Sequence, residues 1–298
     1  MKKYILILST LFAFNTNAAN DWLDCGRDAN GDTANCQYKI DTDGTLTIRG
    51  VGNNGNIGYW WSSEQNAAIQ PWKNKGVTNV VIEDSIKDLG SYGFRSITSQ
   101  NPIEIPSFIT SISYSAFNGV GTSQVIIPDS VTSIEGQAFA WSGIQKIDIP
   151  DSVKIINVNA FRGINLTDIV IPDSVESIAD GALGYCLYLK TLTIGENTNL
   201  NAILTGASTD TEFTDIANLK IYCTGDTSKC DANLAVAGYS DLKSEKATTK
   251  KINGVTYVYD NKGKLVTTSG HRTEKRIYTI EEANQVAGAK NRVSIKYR

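Results

Sequence analysis

Ile127-Pro128-Asp129-Ser130-Val131-Thr132-Ser133-Ile134, followed by Ala138-Phe139, is the stretch that decides the fold, because its words return as Ile149-Pro150-Asp151-Ser152-Val153 with Ala160-Phe161. Ile-Pro also stands at Ile105-Pro106 and Ile171-Pro172, so four copies keep one step. Ala116-Phe117 and Ala182-Leu183 extend the second marker at the same step, and Gly93-Phe94 leads it by one residue more. Two markers held in one register, with a period of about 22 residues, point to a repeat architecture.

Superposing the units aligns short apolar segments that begin each turn of chain: Val80 and Ile82, Ile103 and Ile105, Val125 and Ile127, Ile147 and Ile149, Ile169 and Ile171, Leu192 and Ile194, Leu219 and Ile221, the last unit opening at Ile216. These residues alternate and are mostly β-branched, as a strand requires. The proline after them has no N–H for a ladder and ends the strand. A second apolar pair follows in each unit: Ile86 and Leu89, Ile109 and Ile112, Val131 and Ile134, Val153 and Ile156, Val175 and Ile178. So short a unit cannot bury these teeth alone. Stacked coils join them into one core, so the reading predicts a mainly β solenoid with the Phe residues in a buried ladder.

The motif Ile-Pro-Asp-Ser-Val-x-x-Ile with Ala-Phe, together with Gly184-Tyr185-Cys186-Leu187-Tyr188-Leu189 in the last complete unit, resembles the BspA-type leucine-rich repeat of bacterial surface proteins. The resemblance runs from residue 77 to about 222. It implies a leucine-rich-repeat solenoid and, for function, adhesion or host contact. Glu83 and Gly195 stand where the repeat usually has proline, and the interval from Gly195 to Tyr222 is longer than the regular step, which predicts an irregular last turn.

A solenoid needs closed ends. Residues 19–75 read as an N-terminal cap, with strands over 37–40 and 45–49 joined through Asp41-Thr42-Asp43-Gly44 and with apolar surface from Trp60, Trp61 and Trp72. Residues 76–222 are the solenoid, 223–251 a cap loop and a Lys-rich linker, and 252–298 a small basic β-rich module. In that module Val255–Tyr259 and Lys264–Thr267 flank an Asp260-Asn261-Lys262-Gly263 turn, and Thr279-Ile280-Glu281-Glu282 opens a helix between strands at 276–278 and 292–297.

At the start of the chain, Lys2 and Lys3, the apolar run Tyr4–Phe14 and small residues near Ala18 read as a signal peptide over 1–18, too short to span a bilayer. Export permits disulfides, and Cys25 with Cys36 and Cys223 with Cys230 form close pairs, leaving Cys186 as a small core residue. Their separations of eleven and seven do not suit a zinc site.

The formal charge of -3 conceals a segregation. Residues 19–240 carry 13 Lys/Arg against 25 Asp/Glu, and residues 241–298 carry 13 against 6. The acidic body argues against nucleic acid, while the basic end suits association with an anionic envelope. The single His, His271, has no nucleophile or carboxylate at a telling spacing. Asp28, Asn30 and Asp32 alternate like the start of a calcium loop, but Lys39 sits where the closing Glu belongs, and a polar hairpin tip is expected instead. No cofactor, metal site or enzyme activity is expected.

What remains is surface. Between the inward teeth, Val81, Glu104, Ile126, Asp148, Val170, Thr193 and Lys220 are predicted to point outward in one column, with Lys146 and Asp168 in the next. Apolar and charged residues mixed on one face have the composition of a contact surface. The sequence therefore predicts an exported, non-enzymatic protein whose strand face binds a protein or glycan. The competing readings are a structural envelope component anchored or sorted through the basic module and a secreted hydrolase.

Overall fold

The computed structural model describes residues 22–26, 32, 34–53, 55–62, 67–200, 204, 218–252 and 255–269. The signal segment, Asp28, Asn30, Ile216, His271 and the helix and strands expected over 276–297 lie outside the described residues.

The described chain enters through β1 (Leu23–Asp24), which pairs antiparallel with β2 (Cys36–Ile40) and is tied to it by the Cys25–Cys36 disulfide. The chain then turns into β3 (Thr45–Gly50). That turn needs one residue with a left-handed backbone, and Gly44 supplies it at φ 82°. Asp43 fixes the turn by accepting the Thr45 N–H at 2.9 Å. A short antiparallel pair follows, β4 (Trp61–Ser62) with β5 (Ala67–Ala68). β3 lies parallel to β6 (Asn79–Ile82), with Leu46 opposite Val80 and Ile48 opposite Ile82. The cap hairpin thus extends the edge of the first coil.

The coils then place their strands in two parallel files, to which the coils from Ile103 to Leu200 contribute one strand each. One contains β6, β7 (Ile103–Glu104), β9 (Gln124–Ile126), β11 (Lys146–Ile147), β13 (Asp168–Val170), β15 (Thr191–Ile194) and β17 (Lys220–Cys223). Within it, β7, β9 and β11 are bonded in one run and β13, β15 and β17 in another. The other file contains β8 (Ser111–Ile112), β10 (Ser133–Ile134), β12 (Ile155–Ile156), β14 (Ser177–Ile178) and β16 (Asn199–Leu200). Ile112, Ile134, Ile156, Ile178 and Leu200 align across it.

The repeated words have local jobs. Each proline ends a strand and opens a turn: the carbonyls of Pro106, Pro128, Pro150 and Pro172 accept an N–H from three residues on, at 3.0 to 3.1 Å. The serines two places after Pro128 and Pro150 reach back one coil, where Ser130 and Ser152 donate to the carbonyls of Ile109 and Val131 at 2.6 Å. The Ala-Phe marker bonds coil to coil, since the N–H groups of Phe94, Phe117, Phe139 and Phe161 donate to Ala116, Ala138, Ala160 and Ala182 at 2.8 to 2.9 Å.

These four phenylalanines are fully buried and stack in sequence, with ring centroids 5.1, 5.6 and 5.6 Å apart and interplanar angles of 9°, 7° and 3°. Burial of each ring contributes about 1.5–3 kcal/mol, and stacking adds roughly 0.5–1.5 kcal/mol per pair. Trp72 stacks on Phe94 at 6.3 Å and donates its indole N–H to the Gly93 carbonyl at 3.1 Å, so the cap begins the same ladder. The apolar teeth Ile86 to Ile178 are buried as the repeat predicted. Cys186 is a free, buried thiol, and burial pushes its pKa up to about 12.

The C-terminal end departs from the sequence expectation. Cys223 and Cys230 do form a disulfide, but the segment read as a loop contains α1 (Thr227–Val236). Asp226 caps it by accepting the Ser228 N–H at 2.9 Å, and Cys230 and Leu234, one turn apart, are buried against the last coil. The Lys-rich stretch 243–251, read as an exposed linker, is almost wholly strand: β18 (Ser244–Ile252) runs parallel to β17. Only Ala247 of β18 is buried, so its composition looked solvated. β18 pairs antiparallel with β19 (Val255–Asp260), and β19 with β20 (Leu265–Ser269), through the expected turn with Gly263 at φ 75°.

Candidate functional site

The predicted binding column lies on the outer side of the first strand file, where residues between the buried teeth must project. The structure divides it in two. Over the N-terminal coils the column is open: Val81 is 46% exposed, Glu104 is exposed and Ile126 is half-buried. Lys146 of the neighbouring column is exposed beside them. At this edge the Asn101 amide donates to Asn79 Oδ1 at 2.9 Å, a polar border to the strip.

Over the C-terminal coils the expectation fails. Val170 is 6% exposed and Thr193 is fully buried, so neither is available to a ligand. The cause is the sheet β13-β15-β17-β18-β19-β20, which curls until β20 returns to β13. Val170, Tyr222, Ala247 and Val258 form a second small core with Val266 packed against it. Burial, followed by the nearby carboxylates of Glu245 and Asp260, raises the pKa of the Tyr222 hydroxyl.

Polar contacts fasten the rim of this cover. Ser269 donates to Asp148 Oδ1 at 3.1 Å, and Lys251 Nζ lies 2.6 Å from Asp151 Oδ2. Asp148 and Asp168 are thus half-buried at the cover's edge, and Asp168 Oδ2 also accepts from the Thr167 hydroxyl at 2.7 Å. A cleft of about 200 Å³ remains under the hairpin, lined among others by Val170, Asp173, Ser174, Thr224, Lys251 and Ser269. Lys220 stays exposed and borders a shallower groove with Leu187, Tyr188 and Lys190. The structure therefore brings together Val81, Glu104, Ile126 and Lys146 as open surface and separates them from Val170 and Thr193.

A second surface feature escaped the strand-based reading. Trp141, Arg162 and Tyr185 meet on the turns that follow the phenylalanine ladder, with the Trp141 and Tyr185 rings 5.6 Å apart. Its signal is present in the sequence, since Gly119, Trp141, Gly163 and Tyr185 recur at the same step as the Ile-Pro marker. Among the described residues there is no group of three or more His, Cys, Asp or Glu that could hold a metal ion, and no helix is long and apolar enough to cross a membrane.

Residues 70–190 match the BspA type leucine-rich repeat region in six copies. Among solved structures, a leucine-rich repeat protein from Eubacterium ventriosum is 22% identical, with 56% of this chain and 44% of that one covered and a TM-score of 0.47. One from Bacteroides ovatus is 20% identical, covering 63% and 54%, with a TM-score of 0.43. A leucine rich cell surface protein from Faecalibacterium prausnitzii is 16% identical, covering 72% and 93%, with a TM-score of 0.24. The chain spans about half the length of the first two. No curated protein matches it.

Proposed function

We propose, from the premise that residues 70–190 are a BspA-type leucine-rich repeat region, that this is an exported, non-enzymatic binding protein that recognises a protein or glycan through the open half of its strand face. Adhesion or host contact is the use this reading assigns to it. The observation that carries the proposal is the uncovered strip Val81, Glu104, Ile126 and Lys146, in which Glu104, Ile126 and Lys146 share one parallel ladder and Val81 lies on the preceding strand, so that apolar and oppositely charged side chains meet on one face. A surface built on strands is pre-organised, so little side-chain freedom is lost on contact. The mixed composition favours a partner that is itself partly polar. The basic excess of residues 241–298 supports retention at an anionic envelope surface.

The test is capture of the full chain on a panel of immobilised extracellular proteins and glycans. Val81→Lys combined with Ile126→Lys alters the strip without touching the buried teeth, and is expected to abolish capture while the circular dichroism spectrum is kept. Capture that survives this pair unchanged removes the strand face from consideration.

A further inference from the structure

The coils share a third periodic position that neither the strands nor the phenylalanine ladder uses. Ser96, Gly119, Trp141, Gly163 and Tyr185 follow one another at the repeat step, and all five have a left-handed backbone, with φ between 57° and 68°. Glycine adopts this conformation freely, whereas a bulky L residue resists it. Glycine at 119 and 163 shows that the turn itself asks for no side chain. Aromatic rings at 141 and 185 are held there against local preference.

Those rings do not serve the core. The ladder phenylalanines are fully buried, but Trp141 is 53% exposed. Its six-membered ring lies on Gly163, where an added Cβ would fall 2.3 Å from ring atom Cε3. The bare glycine therefore leaves room for the indole against the next coil, and about half of the Trp141 surface stays exposed there. Tyr185 closes one side, tilted by 56°. The Arg162 guanidinium lies 4.4 Å from the Tyr185 ring centroid and 5.8 Å from that of Trp141. The other aromatic row, Tyr59, Tyr92 and Tyr114, differs: its rings meet edge to face, and its middle member, Tyr92, is buried.

We propose that Trp141, Arg162 and Tyr185 form a carbohydrate site that takes a neutral pyranose. One face of a pyranose ring is a flat patch of C–H groups, which stacks on an electron-rich aromatic face, while its hydroxyls project at the rim within reach of guanidinium N–H donors. The acidic body disfavours anionic sugars. The site lies on the turns and stands independently of the strand-face reading.

The experiment uses the full chain on an array of neutral oligosaccharides built from glucose, galactose, mannose and N-acetylglucosamine, followed by tryptophan-fluorescence titration of the strongest binder. Trp141→Gly installs the residue that the turn itself favours, so the melting temperature is expected to stay level or rise while binding falls roughly tenfold or more. Tyr185→Gly is expected to weaken binding. The proposal is overturned if no array member binds, or if Trp141→Gly binds as well as the parent. It is equally overturned if Trp141→Gly loses capture of an immobilised protein while no sugar binds, which would make the cluster a protein contact.

Discussion

At its N-terminal end the solenoid is closed by Trp72 stacked on Phe94 and by a hairpin that extends the ladder edge; at its C-terminal end a helix closes the core and a hairpin extends the ladder and then folds across it. Both ends solve the problem that a stack of coils exposes apolar surface and unpaired strand edges. Both are stapled by a disulfide across a short segment, each contributing ~3 kcal/mol in the chain-entropy description. They differ in what they leave free. The N-terminal closure seals only the core, so Val81 projects into solvent, while the C-terminal closure also buries Val170, its counterpart in the same column. Closing a solenoid and covering its face are separable acts, and here each end performs a different set.

The comparison is broken most severely from the middle. Phe139→Asp places a carboxylate between Phe117 and Phe161, adding the burial of a charge to the loss of a ring, so the cost is expected to exceed about 4 kcal/mol. Because each coil touches only its neighbours, the two closures would then stabilise disconnected halves. A thermal melt followed by circular dichroism should lose its single steep transition, and a melt indistinguishable from that of the parent contradicts the ladder.

A smaller effect separates the two halves of the strand face. Val81→Lys adds a charge to open surface and is expected to change stability by no more than about 0.5 kcal/mol. Val170→Lys forces an ammonium beneath the hairpin and should cost about 2–3 kcal/mol. Amide hydrogen exchange is expected to quicken across 244–269 in Val170→Lys, with the ladder coils still protected. Equal behaviour of the two variants would mean that the hairpin does not cover the face in solution.

Why one half of that face was legible and the other was not follows from where the information lies. Ile-Pro and Ala-Phe report an environment that recurs in every coil, so four copies state the same packing rule and the buried teeth could be placed from local spacing. Val170, like Val81 and Ile126, stands between two buried β-branched teeth. What buries it is β18–β20, which begins only at Ser244, several coils further along the chain, and whose first strand carries lysines on its solvent side. Helix α1 is legible in part from Asp226 and the Cys230–Leu234 spacing, although a Cys-to-Cys interval this short also suits a stapled loop. The Trp141 and Tyr185 step was equally regular. That position lies on a turn, outside the strand and tooth positions whose apolar spacing reports burial.

The finest distinction between the two ends concerns how each uses a carboxylate. Asp43 accepts the Thr45 N–H two residues away, a local contact that holds the pKa of its side chain below the ordinary value. Glu196 is held low first by the Asp226 N–H, at 2.5 Å, and then by Lys229, whose Nζ lies 3.2 Å away, so it fastens the last coil to the start of α1 from far along the sequence. A carboxyl whose folded pKa is depressed stabilises the fold above its unfolded pKa, and that contribution is lost as the pH falls through the folded value. Glu196→Gln keeps an oxygen acceptor but removes the charge. Its melting temperature should lie slightly below the parent's at neutral pH, and the gap should close once the solution is acid enough to protonate Glu196. Asp43→Asn, in a turn where Asn substitutes readily, should show a smaller gap. A Glu196→Gln gap that persists unchanged into acid would show that the amide disturbs packing, and that the charge of Glu196 does not fasten α1.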